Sequence, residues 1–102
     1  MRPPSGDAGV LHLVQTAEAQ APVWRGFCAP GDEVLLMDDG VLLLAGNTGI
    51  VPLPEGVHLA CLDADARARG VADVARALEV ELISDGEWVR RVAERPHCLS
   101  WK

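Results

Sequence analysis

Val34–Gly46, VLLMDDGVLLLAG, decides how the chain folds, because two apolar runs meet at Asp38-Asp39-Gly40 and that junction has three readings. An Asp-Gly pair between alternating strands signals a β-hairpin. Val41–Leu44, however, is continuously apolar rather than alternating, and Gly46-Asn47 closes it after a short stretch. A buried strand, a tight turn at Asp39 and Gly40, and a short buried helix fit better. In that geometry Asp38 and Asp39 stand at a strand's carboxyl end and a helix's amino end, where their carboxylates can accept from free backbone N–H groups. A metal or acid–base role for the pair stays open, although no third acidic ligand or His lies at a readable spacing.

Similar runs recur outward from this stretch. Val10–Val14 (VLHLV), Glu33–Met37 (EVLLM), Val57–Cys61 (VHLAC) and Val80–Ile83 (VELI) are all of strand length, and helical signals lie between them, clearest over Asp63–Arg69 and Asp85–Glu94. A short helix is expected at about Pro22–Cys28, since Pro is tolerated only in a first helical turn, and Gly31-Asp32 then turns the chain into the second strand. Pro52 and Pro54 mark the loop before the third. The alternation predicts a small α/β domain, with a largely parallel sheet of four to five strands, crossover helices and three layers in the flavodoxin-like manner. Residues 10–102 form that single domain, and 1–9 (MRPPSGDAG) are expected to be a disordered tail.

Composition narrows the function. The chain has 102 residues, is 49% hydrophobic but only 4% aromatic, and carries a formal charge of −6. That sign disfavours a phosphate-neutralising surface, so direct nucleic-acid binding is not expected. Lysine occurs at Lys102 alone, which removes internal lysine chemistry such as a Schiff base. No apolar run approaches the roughly 18 residues that span a bilayer, and the N-terminus lacks a signal-peptide core, so neither membrane nor export is expected and the location defaults to cytoplasmic. Cys28, Cys61 and Cys98 are too far apart for a zinc site and odd in number, which predicts reduced thiols and no metal.

His12 and His58 fall inside strand-like runs and read as hydrogen-bonded structural residues; His97 reads as solvated. Asp65 and Arg69 are spaced i, i+4 and predict an intrahelical ion pair, with Gly70 ending the helix. Trp88 shares a stripe with Val89 and Val92 that reads as core. Trp101 must dock either on its own domain or on a neighbouring subunit, since a large ring near a chain end frays otherwise.

These pieces together carry a family resemblance. LHLV at Leu11–Val14, GDEVLLMDDGV at Gly31–Val41, LDADARARG at Leu62–Gly70, ELISDGEWV at Glu81–Val89 and the closing Ser100-Trp101 occur in the order and spacing of the TusB/DsrH family, so the chain from Leu11 to Trp101 resembles the small subunit of the TusBCD and DsrEFH sulfur-relay complexes. The resemblance implies the DsrE/DsrF/DsrH-like fold and assembly into a heterohexamer with TusC-like and TusD-like (DsrF- and DsrE-like) subunits. It implies a relay of persulfide sulfur to a TusE/DsrC-like carrier for 2-thiolation of tRNA wobble uridine. A DsrH-type role in sulfur oxidation, and a partner-binding α/β domain that transfers nothing, are the alternatives. No cofactor is implied, and the subunit is expected to be accessory rather than catalytic. DsrH-type members carry a Cys in the first helix, which makes Cys28 the candidate sulfur carrier. The span from Leu11 to Gly31 is shorter than the family pattern, and it places Cys28 near a helix carboxyl end, where the dipole disfavours a thiolate. Cys61 reads as a buried structural thiol and Cys98 as exposed beside Arg95 and His97. Arg69 is a candidate interface residue, because guanidinium forks suit bidentate partner contacts, and Trp101 is a second.

Overall fold

Strand β1, Val10–Val14, is buried along most of its length on both faces, the pattern of a central strand in a parallel sheet rather than of a half-solvated hairpin. The structure, a computed structural model, describes residues 9–17, 23–45 and 53–102. The expected tail therefore lies outside the described residues apart from Gly9, which is buried. Pro22, Gly46-Asn47 and Pro52 lie outside them too.

The remaining strands are β2 (Glu33–Leu36), β3 (His58–Leu62), β4 (Glu81–Ile83) and β5 (His97–Trp101). They form one five-stranded sheet in the order β4-β3-β2-β1-β5 with every pair parallel. The helices are α1 (Asp63–Ala68), α2 (Ala72–Ala77) and α3 (Asp85–Glu94), with 3-10 segments at Val23–Phe27 and Asp38–Leu44. The α/β, three-layer expectation holds, and the four sequence-read strands appear to within a residue. The fifth escaped notice because HCLSW lies exposed at a sheet edge and carries no apolar run.

The layering follows from handedness. The chain steps from β1 to β4 in one direction, and right-handed crossovers put its connecting elements on one face of the sheet. There Val14, Val34, Leu36 and Cys61 meet Val41, Leu43 and Leu44 of the second 3-10 segment, Ala66 of α1, Val71 of the turn that follows it, and Ala72 and Ala75 of α2. Returning from β4 to β5 reverses the direction, so α3 must cross the opposite face. It lays Trp88 and Val92 over Leu11, Leu13, Leu35, Ala60, Leu62 and Ile83. Val89 does not share that core as the stripe predicted; it points to solvent, because it lies about 100° round the helix from Trp88, on the outward side of α3.

Val41–Leu44 is helical, and the hairpin reading of the opening stretch falls. The helix read over Asp63–Arg69 ends at Ala68, and Gly70, at φ 72°, lets α2 start at once in a new direction. Ser84 caps α3, its Oγ accepting from the Glu87 N–H at 3.1 Å.

Candidate functional site

Three polar constellations sit on this frame, at the carboxyl ends of the strands, at their amino ends, and beneath α3. At the carboxyl ends, Met37 N–H donates to Val14 O at 3.0 Å and Gly40 N–H to Met37 O at 2.9 Å, which folds the Asp38–Gly40 turn down onto β1. Asp38 adopts φ 53°, and its N–H donates to Asp65 Oδ2 at 2.5 Å. Arg69 then clamps the turn, with Nη2 donating to Asp38 Oδ1 at 2.7 Å and Nε to Asp39 Oδ1 at 3.0 Å.

Two sequence expectations change here. Asp38 and Asp39 make no side-chain cap on the 3-10 segment; they hold Arg69 instead. Arg69 does not pair with Asp65 along its own helix, because Asp65 is engaged by the Asp38 backbone, and the i, i+4 pair on α1 is Asp63 with Arg67. The clamp is a largely exposed ion pair, Asp38 and Asp39 being 60% and 65% exposed, so it orders the turn more than it stabilises the fold.

From the amino ends of β1 and β2 a chain of hydrogen bonds runs through His12 to Trp101 at the carboxyl end of β5. Asp32, read from sequence only as a turn residue, is buried. Its Oδ1 accepts from Val10 N–H at 2.9 Å and its Oδ2 from Ala29 N–H at 3.0 Å. His12 Nε2 lies 3.0 Å from the same Oδ2, and Trp101 Nε1–H donates to His12 Nδ1 at 3.1 Å. An indole can only donate, so Nδ1 is the bare nitrogen of His12 and Nε2 carries the proton given to Asp32. Burial alone would raise the Asp32 carboxyl, but the hydrogen bonds from Val10, His12 and Ala29 outweigh it and hold the group below its usual range. Trp101 is thus docked on its own domain, stacked on His12 with centroids 6.2 Å apart and carrying Phe27 at 5.5 Å.

Cys28 follows the Val23–Phe27 segment, half-buried against the core, and its N–H donates to Arg25 O at 3.3 Å. Burial pushes its thiol pKa up and the nearby Asp32 charge adds to this, with Arg25 opposing. Cys61 is fully buried, and burial together with Asp63 lifts it to about 11. Cys98 is exposed on β5. The helical segment before Cys28 is the 3-10 turn Val23–Phe27, and Cys28 stands just past its carboxyl end, far in character from the cationic, helix-start environment that favours a thiolate.

Beneath α3 lies a cluster that sequence reading missed. Glu33 is buried, and Arg91 donates to it through Nη1 while reaching Glu81 Oε2 at 2.8 Å and Glu87 Oε2 at 2.6 Å. Arg95 adds a contact to Glu33 Oε1 at 3.2 Å, and His58 Nε2 stands 2.7 Å from Glu81 Oε1. Glu33, His58 and Glu81 are close enough together to offer three ligands to a cation, but the Arg91 guanidinium already engages both carboxylates. The arrangement ties α3 to the sheet and leaves little charge for a metal to neutralise. The signal was present in the sequence, as an acid inside an apolar strand at Glu33 and a helix face bearing Glu87, Arg91 and Arg95 at four-residue spacing.

No helix among the described residues is long and apolar enough to cross a membrane. A family model described as DsrH like protein matches residues 15–97 of the chain. Among solved structures, a conserved protein of unknown function from Bacteroides thetaiotaomicron superposes with a TM-score of 0.69 at 16% identity, over 93% of this chain and 97% of that one, a likeness of fold. No curated protein matches the chain.

Proposed function

The chain belongs to the DsrH-like family, a family of sulfur-relay subunits that partner DsrE/DsrF-like subunits, and from that premise we propose that it is an accessory subunit of a cytoplasmic heterohexameric sulfurtransferase complex. In this reading its domain, residues 10–102, assembles with TusC-like and TusD-like chains, and the complex passes persulfide sulfur to a TusE/DsrC-like carrier for 2-thiolation of tRNA wobble uridine.

The observation that supports an accessory role most directly is the setting of Cys28. Persulfide transfer requires a thiolate that attacks, and later leaves, near neutral pH. Burial and Asp32 disfavour that state at Cys28, and burial disfavours it further at Cys61. In this reading the sulfur passes through a partner's cysteine rather than through Cys28 or Cys61, and this chain supplies shape. The net charge of −6 is consistent with a subunit that does not itself touch RNA.

A thiol-free chain tests the proposal. Cys28→Ser and Cys98→Ser combined with Cys61→Ala are expected to leave the assembled complex able to thiolate tRNA, as read by mass spectrometry of wobble uridine in cells. Ala at position 61 avoids an unsatisfied buried hydroxyl and costs about 1 kcal/mol or more in packing, so assembly is checked alongside by light scattering. If Cys28→Ser alone assembles normally yet abolishes thiolation, the chain is itself a sulfur carrier. A chain that ignores both partner subunits would instead remove the heterohexamer from the proposal.

A further inference from the structure

Strand β5 ends the sheet, and no strand of the described residues pairs with its outer edge. Trp101 O accepts from Gln15 N–H on the β1 side, so the amide groups of residues 97, 99 and 101 face β1 and those of Cys98 and Ser100 face outward. Open edges are normally guarded by charged side chains, proline or a bulge. His97–Trp101 contains neither Lys, Arg, Asp nor Glu, and the first four of its residues are exposed. Leu99, 47% exposed, shares a face with Trp101, on which the 62% exposed Phe27 rests, so an apolar shelf runs along the open edge.

We propose that this edge docks a second copy of the chain, the two β5 strands pairing antiparallel about a twofold axis at Leu99 so that the two sheets become one. The occupant follows from self-complementarity. With the axis at Leu99, Cys98 of each copy lies opposite Ser100 of the other, and every outward amide group of β5 finds a partner. An axis at Cys98 would set Ser100 against Pro96, which has no N–H, and an axis at Ser100 would set Cys98 against Lys102, beyond the strand. Leu99 then faces its own mate in a non-hydrogen-bonded pair, where side chains approach most closely, and the two apolar shelves merge on one face of the joined sheet.

Charge selects the same edge. In a chain of net charge −6, β5 itself carries no Lys, Arg, Asp or Glu, so its self-pairing sets no like charges directly opposite each other within the strand. The opposite edge, β4, would bring Glu81 and the flanking Glu79 and Asp85 against themselves. The contact is isologous and closes at two copies. It stands apart from the relay reading and does not depend on it.

Sedimentation velocity on the purified full chain is expected to show a dimer. Leu99→Lys, at a position already half in solvent, should keep the fold by circular dichroism while weakening association about a hundredfold or more, since two ammonium groups replace two leucines at the axis. Register is tested by Leu99→Cys in a Cys98→Ser background under oxidised glutathione. Residues directly opposite in a non-hydrogen-bonded pair have Cα atoms about 4.5 Å apart, within reach of a disulfide, so a dimer linked through position 99 is expected. The native Cys98, which faces Ser100 rather than its own mate, should link far more slowly. A chain that sediments as a monomer at all concentrations, a dimer that persists in Leu99→Lys and does not link through position 99, or a DsrE/DsrF-like subunit captured at position 99 in place of a second copy would each overturn the proposal.

Discussion

Gly40→Val is expected to cost about 3 kcal/mol or more, enough to unfold a domain of this size at moderate urea concentrations. A Cβ at position 40 would lie 2.0 Å from Val14 O and 2.8 Å from Val14 C. Both are backbone atoms of the interior strand β1, held by hydrogen bonds to β2 and β5, so no side-chain rotation relieves the overlap. The left-handed residue of the turn is Asp38, not Gly40, and the glycine is required for close approach rather than for its φ. Asp39→Asn is the contrasting change. It weakens one arm of an exposed clamp to Arg69 and should leave the urea midpoint near that of the unaltered chain. A Gly40→Val chain with an unchanged midpoint would show that the turn stands clear of β1. A large loss of complex activity in Asp39→Asn with stability and assembly intact would make Asp39 a working carboxylate.

What the sequence disclosed and what it hid divide along one physical line. Interior strands were legible because parallel sheets bury both faces, so EVLL and the start of VLHLV stand out as apolar runs whatever surrounds them. The second 3-10 segment was legible for a related reason, since Val41, Leu43 and Leu44 all reach the core. Edge strand β5 carries no such pattern, and α2 is short and alanine-rich, with its identity set by the Gly70 bend rather than by an apolar stripe. Pairings between distant residues were hidden altogether. Arg69 looked like a partner for Asp65, because local spacing is all that one sequence displays, whereas the fold brings Asp38 and Asp39 to it from another element. Glu33 and Arg91 are 58 residues apart and meet only because α3 returns across the sheet. Resemblance, by contrast, integrates over the whole chain, and it identified the family where individual motifs were too short to do so.

Asp32 illustrates the hidden kind most fully, and Asp32→Asn is expected to cost about 3 kcal/mol at neutral pH by breaking a chain of hydrogen bonds whose direction is fixed at both ends. The indole of Trp101 must donate, which leaves His12 Nδ1 as acceptor and Nε2–H as donor toward Asp32. Val10 N–H and Ala29 N–H are donors too, so three donors converge on one carboxylate. Asparagine offers one oxygen and one NH2 group. If its oxygen serves Val10, its NH2 confronts Ala29 N–H and His12 Nε2–H; if the imidazole switches tautomer to accept from that NH2, its new Nδ1–H confronts the Trp101 indole. Either way a buried donor is orphaned. The pH dependence has a definite sign. Because the Asp32 carboxyl is held below its usual value in the folded chain, its contribution is fully present above about pH 4 and is lost as the pH falls through the lowered value. The stability gap between the unaltered chain and Asp32→Asn, measured by urea unfolding at a series of pH values, should therefore be widest near neutrality and shrink toward acid as Asp32 itself becomes neutral. A gap that stays constant down to acid pH would mean that Asp32 works through its shape rather than its charge, and the absence of any gap would remove it from the network that seats Trp101.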